Sequence, residues 1–263
     1  MVQTVQFTKV AMLNLDRLET EWNNSKQHRP KIRGMMGIQM DFLRRKEEVS
    51  NVLEFGIAGG GAHEKFRVAG ADIVAGIELW HPDPEVTAQA DTHGVLGDHN
   101  TWVQAYKFLQ ESTISQDKDN VYRFLHGLDQ FDPTAPEKIR EKSGVDKWDL
   151  IVDDGCPDSN VQKPLIPLWG RHLTPTGLLF SNCPNGYGVT TAWETPWKQH
   201  MEMFKYHATN GMVIFNTNPW VDWEHFGSPR IIGHNFFGIY TPNKEFYKDV
   251  FDKYSDHIVI GEY

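Results

Sequence analysis

Short apolar runs recur along the chain, bounded by turn residues and separated by amphipathic stretches. Residues 51–57, 72–79 and 148–153 are nearly continuous apolar segments, the pattern of strands covered on both faces. Residues 121–126, 178–181, 212–216 and 236–240 are shorter runs of the same kind, which predicts seven strands. Helices are predicted between them at 62–69, 135–142 and 161–173, the last despite Pro164 and Pro167. Trp102, Tyr106, Phe108 and Leu109 predict a further helix before a polar stretch at 111–119. Thr174-Pro175-Thr176-Gly177 reads as a turn introducing the fifth strand. Upstream, Val10, Leu13, Leu15 and Leu18 suggest a short amphipathic helix, and Met36, Ile38, Met40, Phe42 and Leu43 a second one over 34–48. Strands alternating with helices predict an α/β fold, a doubly wound and mostly parallel seven-stranded sheet. The expected organisation is a helical extension at 1–48 and a main domain at 49–263, with an aromatic-rich insert at about 184–230.

Composition narrows the function classes. A length of 263 residues suits one α/β domain with elaborations, and 26 basic against 35 acidic residues leave a net charge of −9. No basic stripe offsets that charge, so nucleic acid is a poor partner. Two cysteines, Cys156 and Cys183, are too few for a disulfide framework, which makes a reduced, cytoplasmic setting the expectation. The first residues carry Gln3, Thr4, Gln6 and Thr8 where a signal peptide needs an apolar run, and no stretch is long enough to span a membrane. Trp193, Trp197, Trp220 and Trp223 crowd the last third, either packing a loop-rich cap or lining a substrate pocket.

The candidate chemistry begins where the first strand ends. Glu54-Phe55-Gly56-Ile57-Ala58-Gly59-Gly60-Gly61 is a strand end running into a glycine turn, and the second strand ends in Glu78. In an open parallel sheet, ligands bind beyond the carboxyl ends of the strands where the order reverses. Gly56, Gly59 and Gly60 would let main chain approach a ligand, and Glu78 stands where an acid accepts both ribose hydroxyls. The dinucleotide fingerprint G-x-G-x-x-G fails here, because the first glycines are spaced Gly56-x-x-Gly59. Glu54 would repel a pyrophosphate and attract an ammonium, and an acid-lined pocket suits the sulfonium of S-adenosylmethionine.

These motifs resemble the class I S-adenosylmethionine-dependent methyltransferases, whose Rossmann-like fold the resemblance implies. The likeness is E-x-G-x-x-x-G at 54–60, the acid Glu78, the run from Lys147 to Gly155 and the segment from Leu173 to Phe180. Within that class the chain is similar to macrocin- and mycinamicin-type sugar O-methyltransferases and to cephalosporin hydroxylase-like proteins. Those carry D-D-G-S-H after the fourth strand and I-E-D after the fifth; the histidine is the base, and the second aspartate and later acids hold magnesium. Asp153, Asp154 and Gly155 match, but Cys156-Pro157 replaces Ser-His and Ser181-Asn182-Cys183 replaces Ile-Glu-Asp. The resemblance therefore implies S-adenosyl-L-methionine as cofactor, Asp154 as a candidate ligand for a divalent metal, a small-molecule acceptor and an oligomer. By position after the third strand, Asp129 is the candidate for the adenine amine, with Asp98 second.

Methyl transfer needs an aligned nucleophile and, for oxygen, a proton acceptor. Asp153, Asp154 and Asp158 are the best-placed acids. Two readings stay open: one of them is a base with a raised pKa, or Asp153 orients the cofactor while Asp154 and Asp158 cap turns. His63, His81 and His172 are expected to be structural, with His81 the most interesting by its place after Glu78, while His225 and His234, in the late aromatic region, could face substrate. Alternative functions are a binding protein on the same fold that has lost catalysis, and a nicotinamide-dependent oxidoreductase, which the glycine spacing disfavours.

Overall fold

A computed structural model describes residues 12–25, 30–57, 61–91, 122–155, 162–182, 197–219 and 236–263. In chain order these form α1 (Leu15–Ser25), α2 (Pro30–Lys46), β1 (Asn51–Phe55), α3 (Gly61–Val68), β2 (Ile73–Glu78), α4 (Pro84–Ala90) and β3 (Tyr122–His126). Then come α5 (Ala135–Ser143), β4 (Trp148–Asp153), α6 (Leu165–Trp169), β5 (Leu173–Ser181), α7 (Trp197–Thr209), β6 (Val213–Asn216), β7 (Phe236–Tyr240), α8 (Lys248–Lys253) and β8 (Ile258–Ile260). The helix expected around Trp102, the polar stretch after it, and Trp193, Trp220 and Trp223 lie outside the described residues.

The strands form one sheet in the order β3-β2-β1-β4-β5-β7-β6-β8. Pairs from β3 through to β5 are parallel, while β7 runs antiparallel to both β5 and β6. Order and direction together make the doubly wound, Rossmann-like methyltransferase fold expected from the sequence. β8 is an addition: three residues pair antiparallel with β6, too short a run to stand out in the sequence.

Side chains alternate across the sheet and divide the core in two. Val52, Val74, Leu150, Leu178, Phe180, Val213, Phe215 and Phe237 point to one face, against α1, α2, α3 and α8. Leu53, Phe55, Ala75, Ile77, Ile151, Leu179 and Ile214 point to the other, against α5, α6 and α7. The covering helices are amphipathic at the matching spacing: Met36, Gln39, Met40 and Leu43 of α2 are all buried, as is Phe42, whose ring meets Phe251 edge-on at 4.9 Å.

Two expectations change. The helix predicted at 161–173 shortens to α6, followed by a 3-10 turn at Gly170–His172. Pro164 caps α6 and Pro167 falls in its first turn, where a missing N–H is harmless; the run between them is too brief for a long helix. The predicted turn at 174–177 is part of β5, with a register shift opposite Trp148 and Leu150. Two of its polar groups are satisfied by side chains: Thr174 Oγ1 donates to Asp149 of β4 at 3.2 Å, and the Tyr247 hydroxyl donates to the Thr176 carbonyl at 2.6 Å. Trp197–Thr209, in the aromatic-rich stretch, is a regular crossover helix burying Met203, Phe204, His200 and His207.

Asp149 ties the amino ends of the strands together. It accepts from the main-chain N–H groups of Ser50 and Asn51 at 3.0 and 3.2 Å. It also pairs at 3.2 Å with Lys46, the last residue of α2, whose side chain is only 4% exposed. Breaking a buried pair strands the remaining charge, so Lys46→Met should destabilise the fold by about 3 kcal/mol in urea unfolding. An unchanged midpoint would mean that the pair does not hold α2 to the sheet.

Candidate functional site

The sheet order reverses between β1 and β4, which places the ligand crevice beyond the carboxyl ends of these strands. Glu54 is paired in register with Gly76, and Glu78 follows two residues later on β2, so both acids project from the same face. Strand spacing puts their Cα atoms roughly 8 Å apart. Both are buried, at 3% and 4% exposure, and Gly76 adds no side chain between them. Glu78 Oε1 accepts from the Leu79 N–H at 2.9 Å, which aims the carboxylate back along the strand end. The two buried acids concentrate negative potential in a small volume at the β1–β2 edge.

Gly56 has a positive φ of 81°. A Cβ there would lie 2.5 Å from the Asp154 carbonyl oxygen and 2.9 Å from the Gly155 Cα. Its freedom therefore lets main chain approach main chain, in addition to any approach to a ligand. The crossing is stitched on both sides: the Gly56 N–H donates to Ile77 at 3.0 Å, and the Asp154 N–H donates to Phe55 at 3.1 Å. Gly59 and Gly60 lie outside the described residues.

The acids after β4 diverge. Asp153 points to the face opposite Glu54 and has no exposure at all. Ser181 Oγ donates to its Oδ2 at 2.9 Å, and the Gly155 N–H reaches Oδ1 at 3.4 Å. Burial pushes its pKa up to about 7; the two hydrogen bonds oppose that shift, and the neighbouring charge of Asp154 adds to it. Asp154 is exposed, on the ligand side of the strand end. Asp158, like Cys156 and Cys183, lies outside the described residues.

The loop after β3 is tied to the end of β2, where the Leu128 N–H donates to the Glu78 carbonyl at 3.2 Å. That brings Asp129 to the crevice rim beside Glu78. Its Oδ1 accepts from the Phe131 N–H at 2.8 Å, a local turn that leaves the side chain half-buried. Asp98 lies outside the described residues.

Gln130 and Gln39 escaped the sequence reading, and Asn182 was noted there only as a replacement for an expected acid. Gln130 is buried, its carbonyl accepts from the Trp169 indole at 2.8 Å, and its amide occupies the space where a Cβ on Gly155 would go. Its one signal is a polar residue directly before Phe131, an apolar position that faces the core. Asn182 stands one residue beyond β5, and its Nδ2 donates to Asp154 at 3.5 Å. Gln39 of α2 is buried and donates from Nε2 to Asn182 Oδ1 at 3.2 Å. Only a polar position within a buried helical stripe hints at it.

The structure brings Asn182 to Asp154, the candidate ligand for a divalent metal. Asn182 turns its amide nitrogen, not its oxygen, toward Asp154. Magnesium prefers several oxygen ligands. Among the described residues no group of three or more His, Cys, Asp or Glu side chains is arranged to hold a metal ion. The described donors do not fit a magnesium site.

Three of the described histidines have local surroundings that the structure defines. His81 Nδ1 accepts from the Asp83 N–H at 3.0 Å, and the main-chain N–H of His81 donates to Thr87 Oγ1 at 2.8 Å, which closes the turn into α4. His172 precedes β5 at the opposite edge of the sheet, and burial lowers its pKa. His63 falls within α3; His225 and His234 lie outside the described residues. His207, buried in α7, is pushed down to about 4 by burial and stays neutral. A cavity of about 570 Å³ lined by Lys46, Ser50, Asp149 and Thr176 opens at the amino edge, away from this site.

No protein-family model and no curated protein sequence matches the chain. Among solved structures it is similar to Aeropyrum pernix fibrillarin with natively bound S-adenosyl-L-methionine, at 14% identity over 73% of this chain and 66% of that one, with a TM-score of 0.41. It is similar to the Podospora anserina methyltransferase PaMTH1 bound to S-adenosylhomocysteine, at 14% identity over 88% and 89%, with a TM-score of 0.41. It is also similar to the methyltransferase MycE of mycinamycin biosynthesis, in complex with magnesium and S-adenosylhomocysteine, at 17% identity over 61% of this chain and 33% of that one, with a TM-score of 0.35. The chain thus spans about two thirds of the fibrillarin chain and one third of MycE.

Two variants test the geometry. Gly56→Ala should lose about 2 kcal/mol or more, since it adds both left-handed strain and a main-chain clash; urea unfolding within 0.5 kcal/mol of the parent would contradict the crossing. For Asp153, the folded pKa of about 7 lies above the ordinary 3.8. Between these values the folded state keeps a proton that the unfolded chain has released. Its contribution therefore disfavours folding increasingly as pH rises through this window, and levels off above it. Asp153→Asn removes the effect, so the variant should gain on the parent by as much as about 4 kcal/mol between pH 4 and pH 8. Parallel stability curves would show that Asp153 is ionised like a surface carboxylate.

Proposed function

We propose that the chain binds S-adenosyl-L-methionine and transfers its methyl group to oxygen or nitrogen of a small-molecule acceptor. The observation that carries the reading is the pair of buried acids, Glu54 and Glu78, on one face beside the left-handed Gly56 at the reversal point of the sheet. A dinucleotide pyrophosphate would meet two buried carboxylates at close range, an arrangement that Coulomb repulsion penalises. A ligand with an ammonium, a sulfonium and a ribose diol answers both acids. Glu54 takes the ammonium end and Glu78 the ribose hydroxyls. Asp129, at the rim beside Glu78, takes the adenine amine, and Gly56, Gly59 and Gly60 form the turn under the methionine portion.

When bound, this cofactor supplies a methyl carbon activated by the adjacent sulfonium. The chain's own part is to orient and to manage protons. Asp153 braces the ends of β4 and β5 through Ser181 and Gly155. Asp154 presents a carboxylate on the acceptor side, where a hydroxyl or amine donates its hydrogen, and Asp158 is the further candidate for that role. The aromatic-rich insert at about 184–230, apart from the crossover helix Trp197–Thr209 and the sheet strand Val213–Asn216, is assigned to cover the acceptor, and residues 1–48 are assigned as the helical extension. Two cysteines fit a reducing, cytoplasmic compartment. Among the described residues no helix is long and apolar enough to cross a membrane. The acidic chain fits a small-molecule acceptor better than nucleic acid, and an oligomer is compatible with these features.

Calorimetry provides the test. S-adenosylmethionine and S-adenosylhomocysteine should bind and NAD should not. Glu78→Ala should weaken S-adenosylhomocysteine at least tenfold, about 1.4 kcal/mol, by removing the ribose contacts. Failure of the unaltered protein to bind either sulfur compound would reject the reading.

A further inference from the structure

We infer that Gln39 and Asn182 hold the Asp154 carboxylate by a chain of amide hydrogen bonds, in the place where the resemblance calls for a divalent cation. Three elements contribute. Gln39 comes from α2, Asn182 follows β5 and Asp154 follows β4. Gln39 Nε2 donates to Asn182 Oδ1 at 3.2 Å, which settles which end of the Asn182 amide faces onward. With its oxygen occupied, Asn182 presents Nδ2 to Asp154 Oδ1 at 3.5 Å. The Asn182 N–H in turn donates to the Asp153 carbonyl at 2.9 Å, so the amide starts from a fixed point of the sheet. Gln39 is itself 4% exposed, held in the α2 stripe between Ile38 and Met40, both buried.

A donor and a cation are mutually exclusive at this position. A metal bound by Asp154 would need the Asn182 oxygen or a carboxylate facing it, whereas an N–H facing it repels a cation. Gln39 is thus a positioning residue: by holding the Asn182 oxygen it keeps the amide in the donor orientation. The consequence is a carboxylate that keeps its negative charge toward the acceptor. Such a site suits an acceptor that arrives with an N–H or O–H to donate, an amine or a neutral hydroxyl, and disfavours an anionic one. The functional meaning rests on the methyl-transfer reading. Neither readout below needs S-adenosylmethionine, so this inference and that reading stand or fall separately.

The first readout is manganese binding, followed by electron paramagnetic resonance on the full chain. The unaltered protein should bind manganese at least tenfold more weakly than Asn182→Asp, in which two carboxylates face one another. Tight binding by the unaltered protein that is lost in Asp154→Asn would overturn the inference. So would equally weak binding by the unaltered protein and Asn182→Asp, because Asn182 would then not decide the matter. The second readout isolates Gln39. In nitrogen-15 spectra the Asn182 side-chain amide protons should exchange with water at least tenfold faster in Gln39→Leu than in the parent, with the main-chain spectrum otherwise preserved. Unchanged exchange would remove Gln39 from the chain of bonds.

Discussion

Gly56 lies with its α-carbon against the main chain of Asp154 and Gly155, closer than any side chain would allow. Two strands that begin well separated in sequence are thereby brought edge to edge where they end. One segment leaves β1 after Gly56, and the other leaves β4 after Asp153 and Asp154. Their relative position is set by this contact and by the two main-chain hydrogen bonds that flank it. Gln130 adds a second close fit by filling the space beside Gly155. A glycine is therefore required at each end of the crossing for a packing reason, whatever ligand lies above.

The four acids of the site are kept apart by strand alternation. Glu54 and Glu78 share one face, Asp153 occupies the other, and Asp154 leaves the strand end toward solvent. Had β4 been displaced by one residue, Asp153 would have joined Glu54 and Glu78 in one buried cluster. Instead, its carboxyl sits in a dry pocket under Ser181 and holds its proton up to about pH 7. The sheet thus keeps the buried Asp153 on the face opposite the buried pair Glu54 and Glu78.

Much of this was legible in the sequence because it depends on local patterns. The β4 and β7 boundaries follow directly from apolar runs, and Glu54, Gly56 and Glu78 are conspicuous because strand ends carry them. What escaped depends on contacts between distant segments. The stretch at 174–177 reads as a turn by its residue types, but Asp149 and Tyr247 draw it into β5 as an irregular strand. Gln39 and Gln130 are single polar residues in apolar settings, and no spacing rule shows that one reaches Asn182 and the other Gly155. Asp153 and Asp154 look equivalent on paper; only the pleat of β4 sends one inward and the other out.

Helix α2 touches both edges of the sheet. Lys46 meets Asp149 at the amino edge, and Gln39, two turns earlier on the same helix face, meets Asn182 at the carboxyl edge. Asp41, between them, accepts from Tyr254 at 2.6 Å and pairs with Lys253. The partners follow the helix in the chain by as much as 143 residues for Gln39 and 213 for Asp41. A nascent chain leaving the ribosome exposes α2 long before any of them exists, so the helix has nothing to dock on until the strands after it are in place. The bond that α2 brings to the site cannot close until Asn182, 143 residues further along the chain, has been made.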